Sequence, residues 1–151
     1  MLFEGKFVVA APASEVWEFL WDIKKMCGCV PGAESIEALD DRNFTAVVAA
    51  RVAYLTARFT TKLTVVEAEP PNRLVATGEG MDKRLSDRMK LGMTMELKSI
   101  TPAETEISYK MELNLFGKLA ALGHPIIKSK AKSMADEFAR NLKKAIETRC
   151  G

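Results

Sequence analysis

A chain of 151 residues, 48% of them hydrophobic, fits one domain around one sizeable core, and two independent domains would each be cramped. Twenty-two basic against 20 acidic residues leave a formal charge of only +2, and aromatic residues make up 7%, so no nucleic-acid partner is expected. No stretch approaches the roughly 20 apolar residues of a spanning helix, and Met1-Leu2-Phe3-Glu4-Gly5 carries no basic leader, so a soluble cytoplasmic protein without a signal peptide is expected.

The first strand sets Phe3, Gly5, Phe7 and Val9 on one face and ends at Ala11-Pro12. Pro12-Ala13-Ser14-Glu15 then reads as a helix start, with Glu15 near the positive end of the dipole and Val16, Trp17 and Leu20 sharing a face. Residues 22–29 form a second short helical segment, which Val30-Pro31-Gly32 stops. From there the period changes from helix to strand. Residues 34–39 are a short strand candidate, and a turn at Asp40-Asp41-Arg42-Asn43 leads into Phe44, Ala46, Val48, Ala50 and Val52. Phe59, Thr61, Leu63 and Val65 alternate next. Pro70-Pro71-Asn72-Arg73 makes a loop, and the strand after it runs from Leu74 towards Gly80 and Met81.

Two further strands carry the most informative pattern. Met89, Leu91, Met93, Met95 and Leu97 occupy every second position, and Ile107, Tyr109, Met111, Leu113 and Leu115 answer them across a loop at Thr101-Pro102-Ala103-Glu104. Antiparallel pairing pools these side chains on one inward wall. Methionine is flexible and polarizable and specifies a rigid core poorly, so such a wall either fills an irregular core or meets a molecule of variable shape.

Residues 117–148 are the long helical pattern, with Leu119, Leu122, Ile126, Met134, Phe138, Leu142 and Ile146 at helical spacing. Lys128, Lys132, Arg140, Lys143 and Lys144 occupy the opposite surface, a solvated face or a contact for anionic lipid or an acidic partner. Gly123 and Pro125 predict a kink or a restart near His124.

Chemistry-bearing residues are few. Three cysteines are an odd number for a disulfide framework, and Cys27-Gly28-Cys29, Cys150 and the sole histidine His124 make no metal set, so reduced structural thiols and no metal are expected. Nucleophilic catalysis would need a base beside Ser or Cys, and no carboxylate is placed to orient His124. No Walker loop or dinucleotide fingerprint occurs. A non-enzymatic protein is expected, and Tyr109, Thr61 and Arg51 are the polar residues that an enzyme reading would have to use.

The order of elements resembles the helix-grip fold of the START-like (SRPBCC, Bet v 1-like) superfamily. That resemblance implies an α+β fold, in which a curved antiparallel sheet of about six to seven strands wraps a long C-terminal helix and two short helices follow the first strand. One amphipathic helix covers only part of so wide a sheet, so large side chains or a ligand must fill the rest of the concave face. Phe3-Glu4-Gly5, Val16-Trp17 after Ala11-Pro12, Asp22, Cys29-Val30-Pro31-Gly32-Ala33-Glu34 and Phe116-Gly117-Lys118-Leu119-Ala120-Ala121-Leu122-Gly123 are similar to signatures of the carbon monoxide dehydrogenase G-subunit family.

The family resemblance implies an accessory protein to carbon monoxide dehydrogenase or a related molybdenum hydroxylase, one that binds a lipophilic quinone or helps bring the enzyme to the membrane. Hence the expectation of a quinone-like or lipid-like passenger and no other cofactor. Its lining is assigned to Met81, Leu91, Met93, Met95, Tyr109, Met111, Leu113, Leu122, Ile126 and Phe138. The alternatives are an assembly or membrane-recruitment module acting through its surface, peripheral at the inner face of the membrane, and, third in order, an enzyme of the cyclase or hydrolase type that the START-like resemblance also implies.

Overall fold

The computed structural model describes the backbone of residues 1–150 and the side chains of residues 1–148. Seven strands form one antiparallel sheet in the order β1-β7-β6-β5-β4-β3-β2. They are β1 (Leu2–Val9), β2 (Ala33–Ala38), β3 (Asn43–Val52), β4 (Leu55–Glu69), β5 (Arg73–Asp82), β6 (Asp87–Thr101) and β7 (Glu104–Phe116). Helices α1 (Ala13–Leu20) and α2 (Ile23–Cys29) follow β1, and α3 (His124–Cys150) closes the chain. The architecture is the expected helix grip.

Local chemistry accounts for the punctuation. The Pro12 carbonyl accepts the amides of Glu15 and Val16 and so starts α1. The Asp22 carboxylate accepts the Lys25 amide at 3.3 Å and caps α2. After Pro31, Gly32 turns the chain at φ +78, and a Cβ there would collide with the Ala49 carbonyl. The helical pattern from residue 117 does restart: a single 3-10 turn, Ala120–Leu122, precedes α3, and Gly123 at φ +102 separates the two.

Helix α3 lies across the concave face with its two halves in different cores. Its C-terminal half supplies Leu142 and Ile146, which pack with Val9, Val16, Phe19, Met95, Leu97 and Ile107. Its first turns supply Ile127, which packs with Val52, Phe59, Leu85 and Leu119. The core is thus divided into two clusters, one near each end of the helix.

Two buried carboxylates tie the second cluster's loops. Asp82, 4% exposed, accepts the Arg58 amide at 2.7 Å and the Leu85 amide at 3.0 Å. Asp87, 1% exposed, accepts the amides of Lys118 at 2.6 Å and Leu119 at 2.9 Å. The hydrogen bond from the Arg58 amide, reinforced by those of Leu85 and Arg84 and by the Arg84 charge, holds the Asp82 carboxyl below its ordinary range despite burial.

A lowered folded-state pKa contributes stability that is complete above the unfolded value of about 3.9 and is lost as pH falls through the folded value. The urea midpoint is therefore expected to drop on acidification below about pH 4, and Asp82→Asn should start lower at pH 7 but show a flatter acid limb. Parallel limbs for the two proteins, measured by urea titration from pH 7 to pH 2, would remove Asp82 from the acid response.

Candidate functional site

The methionine strands pair in the register that their alternation implies: Met89 with Leu115, Leu91 with Leu113, Met93 with Met111, Met95 with Tyr109 and Leu97 with Ile107. All ten point inward, but they are not equally covered. Met95, Leu97 and Ile107 are 0–4% exposed within the first core, whereas Leu91, Met93, Tyr109, Met111 and Leu113 stay half-buried. Leu91, Tyr109, Met111 and Leu113 pack into neither core cluster. Between the two cores, then, lies a stretch of inner wall that faces α3 and still meets solvent.

Glycines interrupt this wall. Gly5, Gly78 and Gly80 face inward, and each has a neighbouring side chain laid over it. A Cβ on Gly5 would stand 2.5 Å from the Tyr109 hydroxyl, and one on Gly78 would stand 2.8 Å from Leu63 Cδ2. One on Gly80 would stand 2.8 Å from Thr61 Oγ1 and 3.1 Å from Met89 Cε. Neighbouring side chains thus fill the positions that the glycines leave.

Polar groups on the wall are few. Burial pushes the Tyr109 phenol above its ordinary pKa, and the Asp136 charge on α3 adds to this while Lys132 opposes it. Thr61, on β4 beside Ala46 and Gly80, is 4% exposed, and its hydroxyl has no hydrogen-bond partner among the described residues. Arg51, an expected polar candidate, is exposed and does not face inward.

Two of the ten expected lining residues lie elsewhere. Met81 is 41% exposed on the outer face, because the inward positions of β5 are Leu74, Ala76, Gly78, Gly80 and Asp82. Ile126 is 45% exposed, and its neighbour Ile127 takes the buried position. Ile126 instead lines a surface groove of about 490 Å³ with Arg51, Val52, Ala53, Pro125 and Lys130. Leu122 packs against the second core cluster and Phe138 against the first, so they bracket the wall, while Met95 is itself core. Leu63 and Gly78, not named from sequence, belong to the wall. The even spacing of Gly78 and Gly80 and the alternation Phe59, Thr61, Leu63 are the signals that could have found them.

Cys27 and Cys29 are free thiols, burial raises the pKa of Cys29, and the side chain of Cys150 lies outside the described residues. No three His, Cys, Asp or Glu side chains converge among the described residues as metal ligands. No described helix is long and apolar enough to cross a membrane.

The strand tips beside the second cluster form a distinct surface. Tyr54 at the β3–β4 tip is 80% exposed, Phe116 at the end of β7 53% and Ile126 45%. Arg51, Lys83, Arg84, Lys118 and Lys128 are exposed around them. The neighbouring carboxylates Asp82 and Asp87 are buried and engaged with backbone amides.

The model of the carbon monoxide dehydrogenase G-subunit family (CoxG) matches residues 5–147. No curated protein matches. Among solved structures, a conserved protein from Geobacillus kaustophilus superposes with a TM-score of 0.89 at 20% identity, over 98% of this chain and 96% of that one. The Zhui aromatase/cyclase from Streptomyces sp. R1128 gives 0.76 at 13% identity, over 100% and 96%. A START superfamily protein from Mycobacterium smegmatis gives 0.71 at 13% identity, over 97% of each chain. At these identities the likenesses show the fold.

Proposed function

The chain belongs to the CoxG family of carbon monoxide dehydrogenase, and from that premise we propose that it is a non-enzymatic carrier of a hydrophobic small molecule, quinone-like or lipid-like, serving a carbon monoxide dehydrogenase or related molybdenum hydroxylase. The observation that carries this reading is the incompletely buried apolar wall between two closed cores. A folded chain gains by covering such a surface, at about 25 cal/mol per Å² removed from water, and here the two core clusters leave it only partly covered. Methionines suit a passenger whose outline varies along its length.

Native mass spectrometry and organic extraction of the purified protein are expected to recover a lipophilic passenger, and added menaquinone should raise the thermal midpoint. If neither method ever recovers one and menaquinone gives no shift, the carrier reading fails. Co-purification of a molybdenum hydroxylase would support the partner.

A second reading has its own observation. The exposed Tyr54, Phe116 and Ile126, set among exposed cations at the strand tips, suit an anionic bilayer, whose headgroups take the charge while the rings and aliphatic chain enter the interface. Such recruitment does not depend on the interior. Filling the wall with larger side chains therefore separates the two readings.

A further inference from the structure

We propose that the Thr61 hydroxyl is the hydrogen-bonding anchor for a neutral carbonyl or hydroxyl oxygen on the passenger, and so selects oxygen-bearing apolar molecules over plain hydrocarbons and over ionised acids. This rests on the carrier reading. A buried hydroxyl without a partner is costly to keep, and most buried side-chain polar atoms in folded proteins are satisfied. Thr61 Oγ1 is such an exception among the described residues, on the inward face of β4.

Its surroundings define the chemistry it accepts. Phe59 and Leu63 flank it along the strand, and Ala46 and Gly80 lie opposite it on the neighbouring strands. None of these carries a charge, so an ionised carboxylate brought here would lose its water and meet a single donor. A neutral carbonyl needs only that donor. Both Thr61 Oγ1 and Met89 Cε overhang Gly80, which makes the flexible Met89 thioether the group that swings aside when an oxygen arrives.

Three matched probes test this: 2-acetylnaphthalene, 2-ethylnaphthalene and 2-naphthoate, titrated into the purified protein and into Thr61→Val and Thr61→Ser. The ketone should bind roughly tenfold tighter than the hydrocarbon, about 1.4 kcal/mol, with the carboxylate weakest. Thr61→Val keeps the side-chain shape and should abolish the ketone's advantage while leaving ethylnaphthalene binding unchanged. Thr61→Ser should retain it. Because the valine removes an unsatisfied hydroxyl, ligand-free Thr61→Val should also melt at or above the wild-type temperature, a gain that a merely structural hydroxyl would reverse. An unchanged ketone preference in Thr61→Val overturns the proposal and leaves the carrier reading standing. Failure of all three probes and of menaquinone to bind overturns both.

Discussion

Asp87→Ala is expected to lower the stability of the chain by about 2–4 kcal/mol, since a hydrogen bond to a carboxylate is worth about 1.5–3 kcal/mol and one of the two freed amides, on exposed Lys118, can turn to water. The carboxylate is 1% exposed and accepts the Lys118 and Leu119 amides at 2.6 Å and 2.9 Å, the short distances of charge-assisted bonds. Alanine leaves both amides without their acceptor, and Leu119, 2% exposed, has no water to turn to. Gly117 packs so closely that a Cβ on it would collide with the Asp87 side chain, so the loop is shaped around this carboxylate.

The consequence extends past the turn. The bonds fix the start of the segment that carries Leu119 and Leu122 into the second core and delivers α3 at His124. Loss of the latch should free residues 117–123 and the first turn of α3 together, which amide hydrogen exchange would register as coupled loss of protection. In a chain of this size the thermal midpoint should fall by roughly 5–15 °C. A fall of less than about 2 °C in thermal denaturation would mean that Asp87 is dispensable to the latch.

How far the sequence foretells this molecule differs from strand to strand. Wherever large apolar residues alternate over long runs, as in β6 and β7, the shared face is legible, because a slip by one residue would expose all five inward side chains, whereas a slip by two keeps the face and leaves the pairing of Met93 with Met111 to the turn that joins the strands. In β5 the signal inverts. Its inward positions include Gly78 and Gly80, so hydropathy marks the outward Val75 and Met81 instead and puts Met81 on the wrong face. Adjacent Ile126 and Ile127 present the same side chain to any periodicity, and the choice between them depends on where α3 begins. Gly123, at φ +102, sets that start after a 3-10 turn that no hydrophobic pattern encodes.

The division of the core is illegible for a different reason. Leu142 and Ile127 read alike on a helical wheel, yet one packs with β1, β6 and β7 and the other with β3 and β4. Which strands each helical turn reaches is a property of sheet curvature and chain crossing, not of local composition. Likewise, Asp87 meets its two amides 31 and 32 residues away, and nothing in the intervening sequence announces that contact. Sequence marks Thr61 only as a polar residue; that its hydroxyl has no partner among the described residues depends on the strands packed beside it.

Met93→Trp combined with Met111→Trp is expected to weaken binding of a lipophilic passenger by two orders of magnitude or more. The two residues are directly opposed across β6 and β7, both face α3, and both are half-buried, so two indole rings would project into the region between the cores. Stability decides what the loss means. If that region is open, the rings fill it, and the thermal midpoint should stay within about 2 °C of wild type or rise, since new apolar area is buried without displacing neighbours. If the methionines merely complete a closed core, inserting larger side chains should cost typically 1–3 kcal/mol per site through overpacking, and the midpoint should fall by several degrees. Loss of menaquinone binding with an unchanged midpoint therefore argues for a cavity, whereas loss of both argues for core. The same variant tests the surface reading, because Tyr54, Phe116, Lys83 and Arg84 are untouched by it. Sedimentation with vesicles of phosphatidylglycerol should be retained in the filled protein and lost in Lys83→Glu combined with Lys128→Glu, if the strand tips recruit the chain to an anionic bilayer. A protein that loses its passenger yet still sediments would show two separable tasks, carriage inside the sheet and docking at its rim.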